Sequence, residues 1–414
     1  MEGLFSLSLA DGTAPLGKPQ CGACGLHKTC KSPKMQVAGR GKIGLLIVGE
    51  APGEEEDARN RPFVGKSGRR LRQALAEAGV HDMEKDCWIA NALRCRPPGN
   101  VIKDERAVEY CRPLTVDALK EYKPNAVLLL GKSAVRSVIG WTLGSEPGGI
   151  EQWVGWTIPD QKTNAWLVPT YHPAYLGYQE DQPTGLMLAR AFYRHVRTVV
   201  DLAHKGTPWS MVPDYKGEVV VLHSPSEAAE WIDKFTRDGT PTAFDFETDR
   251  LKPDHPDARL VCASMSDGGT TVAFPWHGEA VKAFKRFAKS DVPKVAQNLK
   301  MEARWTKAVL GVTVRNWVWD TLQVSHILDN RPGVNGLDFQ AYVRLGYPDW
   351  SKGVSRYLTS RDKGGNSPNR VKDCSLTDLM VYNGVDSLVT LLIAREQARL
   401  LGFNHTFVKE RSRA

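Results

Sequence analysis

The chain has 414 residues, 42% hydrophobic and 25% charged, with 55 Lys and Arg against 47 Asp and Glu, a net charge of +8. That composition excludes a wholly disordered chain, and no apolar run approaches the roughly 20 residues of a membrane span. The length predicts two or three domains. The basic excess is shared by both halves and is compatible with a polyanionic partner. Met1 to Pro19 lacks a basic stretch followed by an apolar core, so no secretion signal and a cytoplasmic setting are expected. The eight cysteines then point to a reducing compartment, where clustered thiols suggest metal.

In chain order, the first half alternates short apolar runs with helical patterns. Strands are predicted at Ile43–Gly49, Trp88–Leu93, Ala126–Gly131 and Trp166–Thr170. Amphipathic helices are predicted at Leu71–Ala78 and Val108–Tyr122, and a further helix at Leu186–Ala203. Continuous apolar strands alternating with helices argue for an α/β fold with a mainly parallel sheet covered on both faces. Ligands bind at the carboxyl ends of such strands. The loops after Gly49, Leu93 and Thr170 are therefore where chemistry is expected.

The stretch from Gly206 to Asp214 is rich in Gly, Ser and Pro and reads as a linker. The expected organisation is a first domain over 1–206, a linker over 207–216 and a second domain over 217–414. The second half restarts with a strand at Val219–Leu222, followed by one at Thr242–Thr248 and a hairpin over Arg259–Trp276. The remainder is mostly helical in pattern, and Arg361–Lys372 reads as an exposed polar loop.

Cys21 and Cys24 form a C-x2-C pair, Cys95 follows the second strand, and Cys111 lies on the helix beyond. Four thiolates from three places in the chain can enclose a zinc ion or an iron–sulfur cluster, and unrelated buried thiols are the plain alternative. Cys30 is near enough to compete as a ligand. Cys87, Cys262 and Cys374 read as small core residues.

Several motifs follow the predicted strands. The first strand leads into Gly49-Glu50-Ala51-Pro52-Gly53 and on to Arg61-Pro62-Phe63-Val64-Gly65. The second leads into Asn91-Ala92-Leu93-Arg94-Cys95-Arg96-Pro97-Pro98, and the fourth into His172-Pro173-Ala174-Tyr175-Leu176. With the cysteines, residues 20–203 resemble the iron–sulfur (family 4) uracil-DNA glycosylases. The resemblance implies a 4Fe–4S cluster on Cys21, Cys24, Cys95 and Cys111. It also implies uracil selection by Asn91, base stacking on Phe63, and stabilisation of the leaving uracil by His172.

These residue types suit that chemistry. An Asn amide offers a donor and an acceptor that match the O4 and N3–H edge of uracil. A donor beside O2 stabilises charge that grows as the glycosidic bond breaks. Glu50 is a further candidate for orienting water or the sugar, and Leu176 for wedging into the vacated stack. Taken singly, each residue also has a plain reading as a cap, a turn or core.

The acids Glu54–Asp57 read as a solvated helix start. Lys132 and Ser133 open a helix where either a phosphate or a simple cap fits. The chain departs from the family at Asn60, which replaces a glycine but tolerates positive φ. It departs again at Gly177-Tyr178, where an arginine often follows the His-Pro motif.

Asp245-Phe246-Glu247 puts two carboxylates on one face of a strand. Paired acids of this kind suit two cations about 4 Å apart that hydrolyse a phosphodiester. Asn298-Leu299-Lys300-Met301-Glu302 follows, then Tyr382-Asn383-Gly384-Val385-Asp386, whose Tyr382 and Asp386 share a helical face. Residues 217–400 resemble the 3′–5′ proofreading exonuclease domain of family-A DNA polymerases. This implies an RNase H-like (DnaQ-type) fold and two Mg²⁺ or Mn²⁺ ions held by Asp245, Glu247, Glu302 and Asp386. Tyr382 would orient the attacking water. The third acid is usually aspartate, so Glu302 is a departure. Asp320 is the nearest alternative acid and reads as the N-cap of a helix over Thr321–Leu328.

Together these features predict a bifunctional DNA-processing hydrolase acting on uracil-containing DNA and on 3′ ends, in a bacterial or virus-infected cell. Too few residues follow Arg399 for a polymerase palm or fingers. A DNA polymerase is therefore expected as a separate partner or as the continuation of this chain. The rival from another class is a non-catalytic or singly active DNA-binding accessory. No membrane association is expected.

Overall fold

The computed structural model describes residues 17–360 and 366–403. The first 16 residues of the amino-terminal stretch, and residues 361–365 of the expected loop, lie outside it. The chain divides into two compact units. One holds the chain up to Val212 together with Tyr342–Pro348; the other holds Pro213–Ala341 and the chain from Asp349.

In the first unit the strands are β1 (Leu45–Gly49), β2 (Cys87–Asn91), β3 (Ala126–Leu130), β4 (Ile158–Asp160) and β5 (Ala165–Thr170). Helices are α1 (Cys21–Cys24), α2 (Glu54–Arg59), α3 (Lys66–Glu77), α4 (Met83–Asp86), α5 (Arg106–Tyr122), α6 (Lys132–Leu143), α7 (Pro173–Tyr178) and α8 (Gly185–Lys205). The sheet runs β2-β1-β3-β5-β4. All its pairings are parallel except β4 with β5. Every residue of β1 and β3 is buried, as expected for parallel strands covered on both faces. On α8, Phe192, Val196, Val199, Val200 and Ala203 recur at helical spacing and pack into the core under the sheet. The four predicted strands form. The added β4 is a three-residue edge strand containing Pro159, where a missing N–H is tolerated.

No helix or strand forms between Lys205 and Val219. The second unit then holds β6 (Val219–Val221), β7 (Thr242–Thr248), β8 (Leu260–Ser266), β9 (Thr271–Pro275), β10 (Lys294–Ala296) and β11 (Trp317–Asp320). Its helices are α9 (Pro225–Asp238), α10 (Gly278–Lys289), α11 (Leu299–Leu310), α12 (Thr321–Leu328), α13 (Leu337–Leu345, whose last turn groups with the first unit), α14 (Ser355–Leu358) and α15 (Leu376–Leu400). The mixed six-stranded sheet runs β11-β10-β7-β8-β9-β6.

The hairpin β8–β9 is antiparallel, as expected. The remainder is mostly helical, as expected, with the addition of β10 and β11, which pair in parallel with each other. Both are too short to show a period of two. Helix α15 is long and apolar enough to cross a membrane by length and composition alone. Here it is a core helix lying across β7, β8 and β9, which explains why it is apolar on every side.

Candidate active sites

In the first unit the parallel register brings Gly49, the last residue of β1, level with Asn91, the last of β2. Asn91 is buried there. Phe63 arrives from the loop after α2, with φ at +56°. Its carbonyl accepts from Arg72 Nη1 at 2.6 Å, and Gly68 leaves no room beside that carbonyl for a Cβ. A β-carbon built on Gly49 would overlap both Asn91 Oδ1 and the Phe63 ring. The absence of a side chain at 49 therefore lets Asn91 and the Phe63 ring close in on the end of β1.

His172 approaches Phe63 from the carboxyl end of β5, the two ring centroids 6.2 Å apart. It is the N-cap of α7, and its Nδ1 accepts from the Ala174 N–H at 3.2 Å. That bond assigns the imidazole proton to Nε2. Loss of water around the ring pushes its pKa down to about 4, so the neutral form is held. Glu50 is half-buried and accepts from the Ser133 hydroxyl at 3.1 Å.

The structure bears on four expectations around this site. Leu176 is buried in the core, while Tyr175 and Tyr178 on the same short helix are exposed. A wedge at Leu176 would have to leave its own core. The N-cap of α6 is Gly131. Lys132 is paired with Glu105 at 2.7 Å, and the Ser133 hydroxyl donates to Glu50. The acids of α2 are not all solvated: Glu56 accepts from the Gly53 and Gly65 N–H groups, and Asp57 is buried on the Lys31 and Ser32 N–H groups. Finally, where an arginine is missing after the His-Pro motif, Arg70 of α3 stands beside Gly177. Arg70 Nη1 lies 3.6 Å from where a Gly177 Cβ would stand, and its Nη2 is 3.0 Å from Glu180. Asn60 takes φ +50° as the C-cap of α2, so the turn there survives without glycine.

Cys21, Cys24, Cys95 and Cys111 line one cavity, together with Leu93, Arg94 and Tyr110. The C-x2-C turn docks on α5 through Gln20 N–H to Tyr110 O at 3.0 Å. Burial pushes the Cys95 thiol up to about 12, against a hydrogen bond from Lys34 N–H at 3.2 Å. Cys30 does not line the cavity but lies within hydrogen-bonding reach of Cys95. Cys87 and Cys262 are core residues; Cys374 is only half-buried. Among the described residues, one group of three or more potential ligands lies within 4.8 Å, and it is not this one. Thiolates on a single zinc, with bonds of about 2.3 Å, would fall inside that limit.

That group is Asp245, Glu247 and Asp386 in the second unit. Asp245 and Glu247 stand two apart on β7, and α15 carries Asp386 across the strand. Desolvation pushes Asp245 up to about 7, with an opposing hydrogen bond from Asn383. Glu247 and Asp386 are pushed well above the carboxylate range by burial and then by Asp245. Tyr382 hydrogen-bonds Asp386, and both border a cleft with Arg250, Leu251, Met301 and Asn369.

Glu302 does not join the triad. It is 1% exposed, its Oε2 has no partner, and it feels the charge of Asp245. Asp320 caps α12 through the Leu322 and Gln323 N–H groups, as expected, and also accepts from those of Asn298 and Leu299. With four backbone donors it is spent as a clamp. The expected polar loop is not simply exposed: Asn366 and Asn369 are bonded to the backbone of Lys252 and Thr248, and Val371 is buried.

Sequence reading missed two residues that touch the triad. Asn383 Nδ2 donates to Asp245 Oδ2 at 2.6 Å, and Trp350 Nε1 donates to Asp386 Oδ1 at 2.8 Å. Asn383 sits inside a quoted motif. Trp350 lies in an irregular stretch that no motif marks.

The sequence model of the Uracil DNA glycosylase superfamily matches residues 38–197. The type-4 uracil-DNA glycosylase of Pyrobaculum aerophilum is 39% identical over 121 residues, 29% of this chain and 59% of the relative. That of Archaeoglobus fulgidus is 33% identical over 165 residues, 38% of this chain and 79% of the relative. The chain thus spans less than two thirds of one of these relatives and about four fifths of the other. A DNA polymerase of Bacillus phage SP01 is 21% identical over 332 residues, 72% of this chain and 34% of the relative. Among solved structures, Escherichia coli RNase D matches with a TM-score of 0.33 and 13% identity over 45% of this chain and 46% of that one. Through its first unit, the chain belongs to the type-4 uracil-DNA glycosylase family.

Proposed function

We infer that the chain is a bifunctional DNA hydrolase. In this reading its first unit excises uracil and its second shortens DNA from the 3′ end. The observation that carries the first activity is the convergence of Asn91, Phe63 and His172 at the strand ends, with Gly49 letting the first two approach β1 closely. A flipped base would stack on Phe63 and pair its edge with the Asn91 amide. As the N-glycosidic bond breaks, electrons collect on the uracil ring. His172 is neutral with its proton on Nε2, so it can donate to O2 without itself being an acid at neutral pH. Glu50, oriented by Ser133, is suited to directing water or the sugar.

A 4Fe–4S cluster fits the cysteine cavity. The thiols are set wider than one zinc would draw them. Arg94 points to ionised thiols there: it is 3% exposed, its side-chain bonds go to the Met35 and Leu114 carbonyls, and its Nε has no partner. A buried cation of this kind needs counter-charge, and thiolates holding a cluster would supply it. Cys21, Cys24, Cys95 and Cys111 would hold the cluster, with Cys30 outside the set.

For the second activity the carrying observation is the Asp245–Glu247–Asp386 triad. These residues would hold one divalent ion, and Asp245 with Glu302, whose Oε2 has no partner, would serve a second. Mg²⁺ or Mn²⁺ bound there would activate water and stabilise the leaving 3′ oxygen. Tyr382, beside Asp386, is placed to orient that water. The likeness to a phage DNA polymerase supports a replication setting with a polymerase as partner.

The test is one 5′-labelled single-stranded oligonucleotide carrying an internal uracil. With EDTA and then alkali, a single break at uracil is expected; with Mg²⁺ and no alkali, a ladder. An intact EDTA lane beside a ladder would make the first unit a reader of DNA. Intact DNA in both lanes would support the accessory reading.

A further inference from the structure

Three carboxylates with ligand atoms inside 4.8 Å repel one another when ionised. The donors that reach them are neutral. The Asn383 amide meets Asp245 Oδ2 at 2.6 Å and also bonds Glu247. The Trp350 indole meets Asp386 Oδ1 at 2.8 Å.

Neither donor is free to drift. Asn383 is fully buried on α15, and its carbonyl accepts from the Ser264 hydroxyl at 2.6 Å. Ser264 in turn shares a 2.6 Å bond with Ser387 one turn on. The next residue, Gly384, lies so close to Val219 that a Cβ would overlap it, which seats the helix tightly on the sheet. The amide Oδ1 of Asn383 is buried without a partner. An asparagine kept only to satisfy the fold would not leave that group unpaired. The unpaired carbonyl is tolerated where the N–H side has work to do. Trp350 is likewise buried, with its one polar atom spent on Asp386.

We propose that Asn383 and Trp350 are positioning residues of the cation site. Asn383 holds Asp245 Oδ2 and bonds Glu247, and Trp350 holds Asp386 Oδ1, so that all three carboxylates are oriented. The triad is thereby held in its loaded arrangement before cations arrive. This rests on the two-metal reading of the second unit. Outer partners of metal ligands commonly account for about 10–100-fold in metal affinity.

The experiment is calorimetric titration of the full chain with Mn²⁺ in the absence of DNA. Trp350→Phe keeps the ring and loses the N–H; Asn383→Leu keeps the volume and loses the amide. Each is expected to bind Mn²⁺ about 10–100-fold more weakly, and nuclease turnover should recover toward the wild-type value when Mn²⁺ is saturating. A purely structural role would lower the melting temperature and leave Mn²⁺ affinity in place. If Asn383→Leu does not fold, Trp350→Phe decides. Wild-type Mn²⁺ affinity in Trp350→Phe overturns the proposal, provided Asp245→Ala has lost binding. If Asp245→Ala binds Mn²⁺ as the wild type does, the two-metal reading itself falls and takes this inference with it.

Discussion

The two sites solve opposite electrostatic problems. The pocket at the ends of β1, β2 and β5 is built from an amide, an aromatic ring and an imidazole kept neutral by its dry surroundings. Nothing bordering the reacting base has to be neutralised by a cation. The site on β7 and α15 crowds three carboxylates, whose burial favours the protonated form until ions arrive. One polypeptide thus holds a site complete in its side chains and a site that calls for an added charge. Metal dependence should therefore separate the two activities cleanly.

The largest expected effect breaks the comparison on its acidic side. Asp245→Ala should lower 3′ shortening by roughly 10³-fold or more, because the residue serves both proposed ions. Uracil excision by the same protein should be unchanged. Persistence of the ladder on a gel would remove the triad from the chemistry. On the neutral side, His172→Ala removes the donor aimed at the developing charge. Excision should fall by about 10²–10³-fold, measured as alkali-labile breaks under EDTA, while the nuclease ladder stays as it was.

Gly49→Ala tests the pocket without touching a proposed catalytic group. Its new methyl would sit where Asn91 and Phe63 meet. Displacing either by about 1 Å can cost on the order of 10²-fold in rate. Excision at the wild-type rate would mean that the base binds elsewhere.

A smaller effect separates the two roles considered for Leu176. Because it is buried, Leu176→Ala should lower stability by about 2–5 kcal/mol, seen as an earlier melting transition. Tyr178→Ala, at an exposed position, should leave melting nearly unmoved. Equal melting of the two variants would contradict the packing of α7.

The smallest expected effect is the pH dependence of excision. A histidine whose folded pKa lies near 4, below its ordinary value of about 6.5, stays neutral through the intervening range. Excision should therefore be nearly flat from about pH 8 down to about pH 5 and fall only toward pH 4. The stability linked to His172 has the same sign. It is present above about 6.5 and is lost as pH falls from there toward 4. An inflection in rate near 6.5 would show that the ring is not held neutral.

Much of this architecture was readable from the chain. The apolar runs at 45–49, 126–130 and 165–170 announced buried parallel strands, because such strands are covered on both faces and need no alternation. The D-x-E pattern at 245–247 announced two carboxylates on one face of a strand. Asp320 before Thr321 announced a helix cap, because that bond is local. Each of these signals lives within a few neighbouring residues, where backbone geometry alone decides which side chains meet.

Only the tertiary structure could decide the rest. β10 and β11 are three and four residues long, too short to carry a period, and they exist because a neighbouring strand offers hydrogen bonds. Leu176 and Tyr178 are both apolar enough to wedge into DNA, and the packing of α7 on the core chose which one is exposed. Glu302 keeps the right place in its motif, yet its carboxylate stands outside the triad. Trp350 and Asp386 are 36 residues apart and Asn383 and Asp245 are 138 apart. No periodicity reaches across such separations. Asn383 meets Asp245 because α15 lies on the face of β7, and Trp350 meets Asp386 because the irregular stretch after α13 packs against α15.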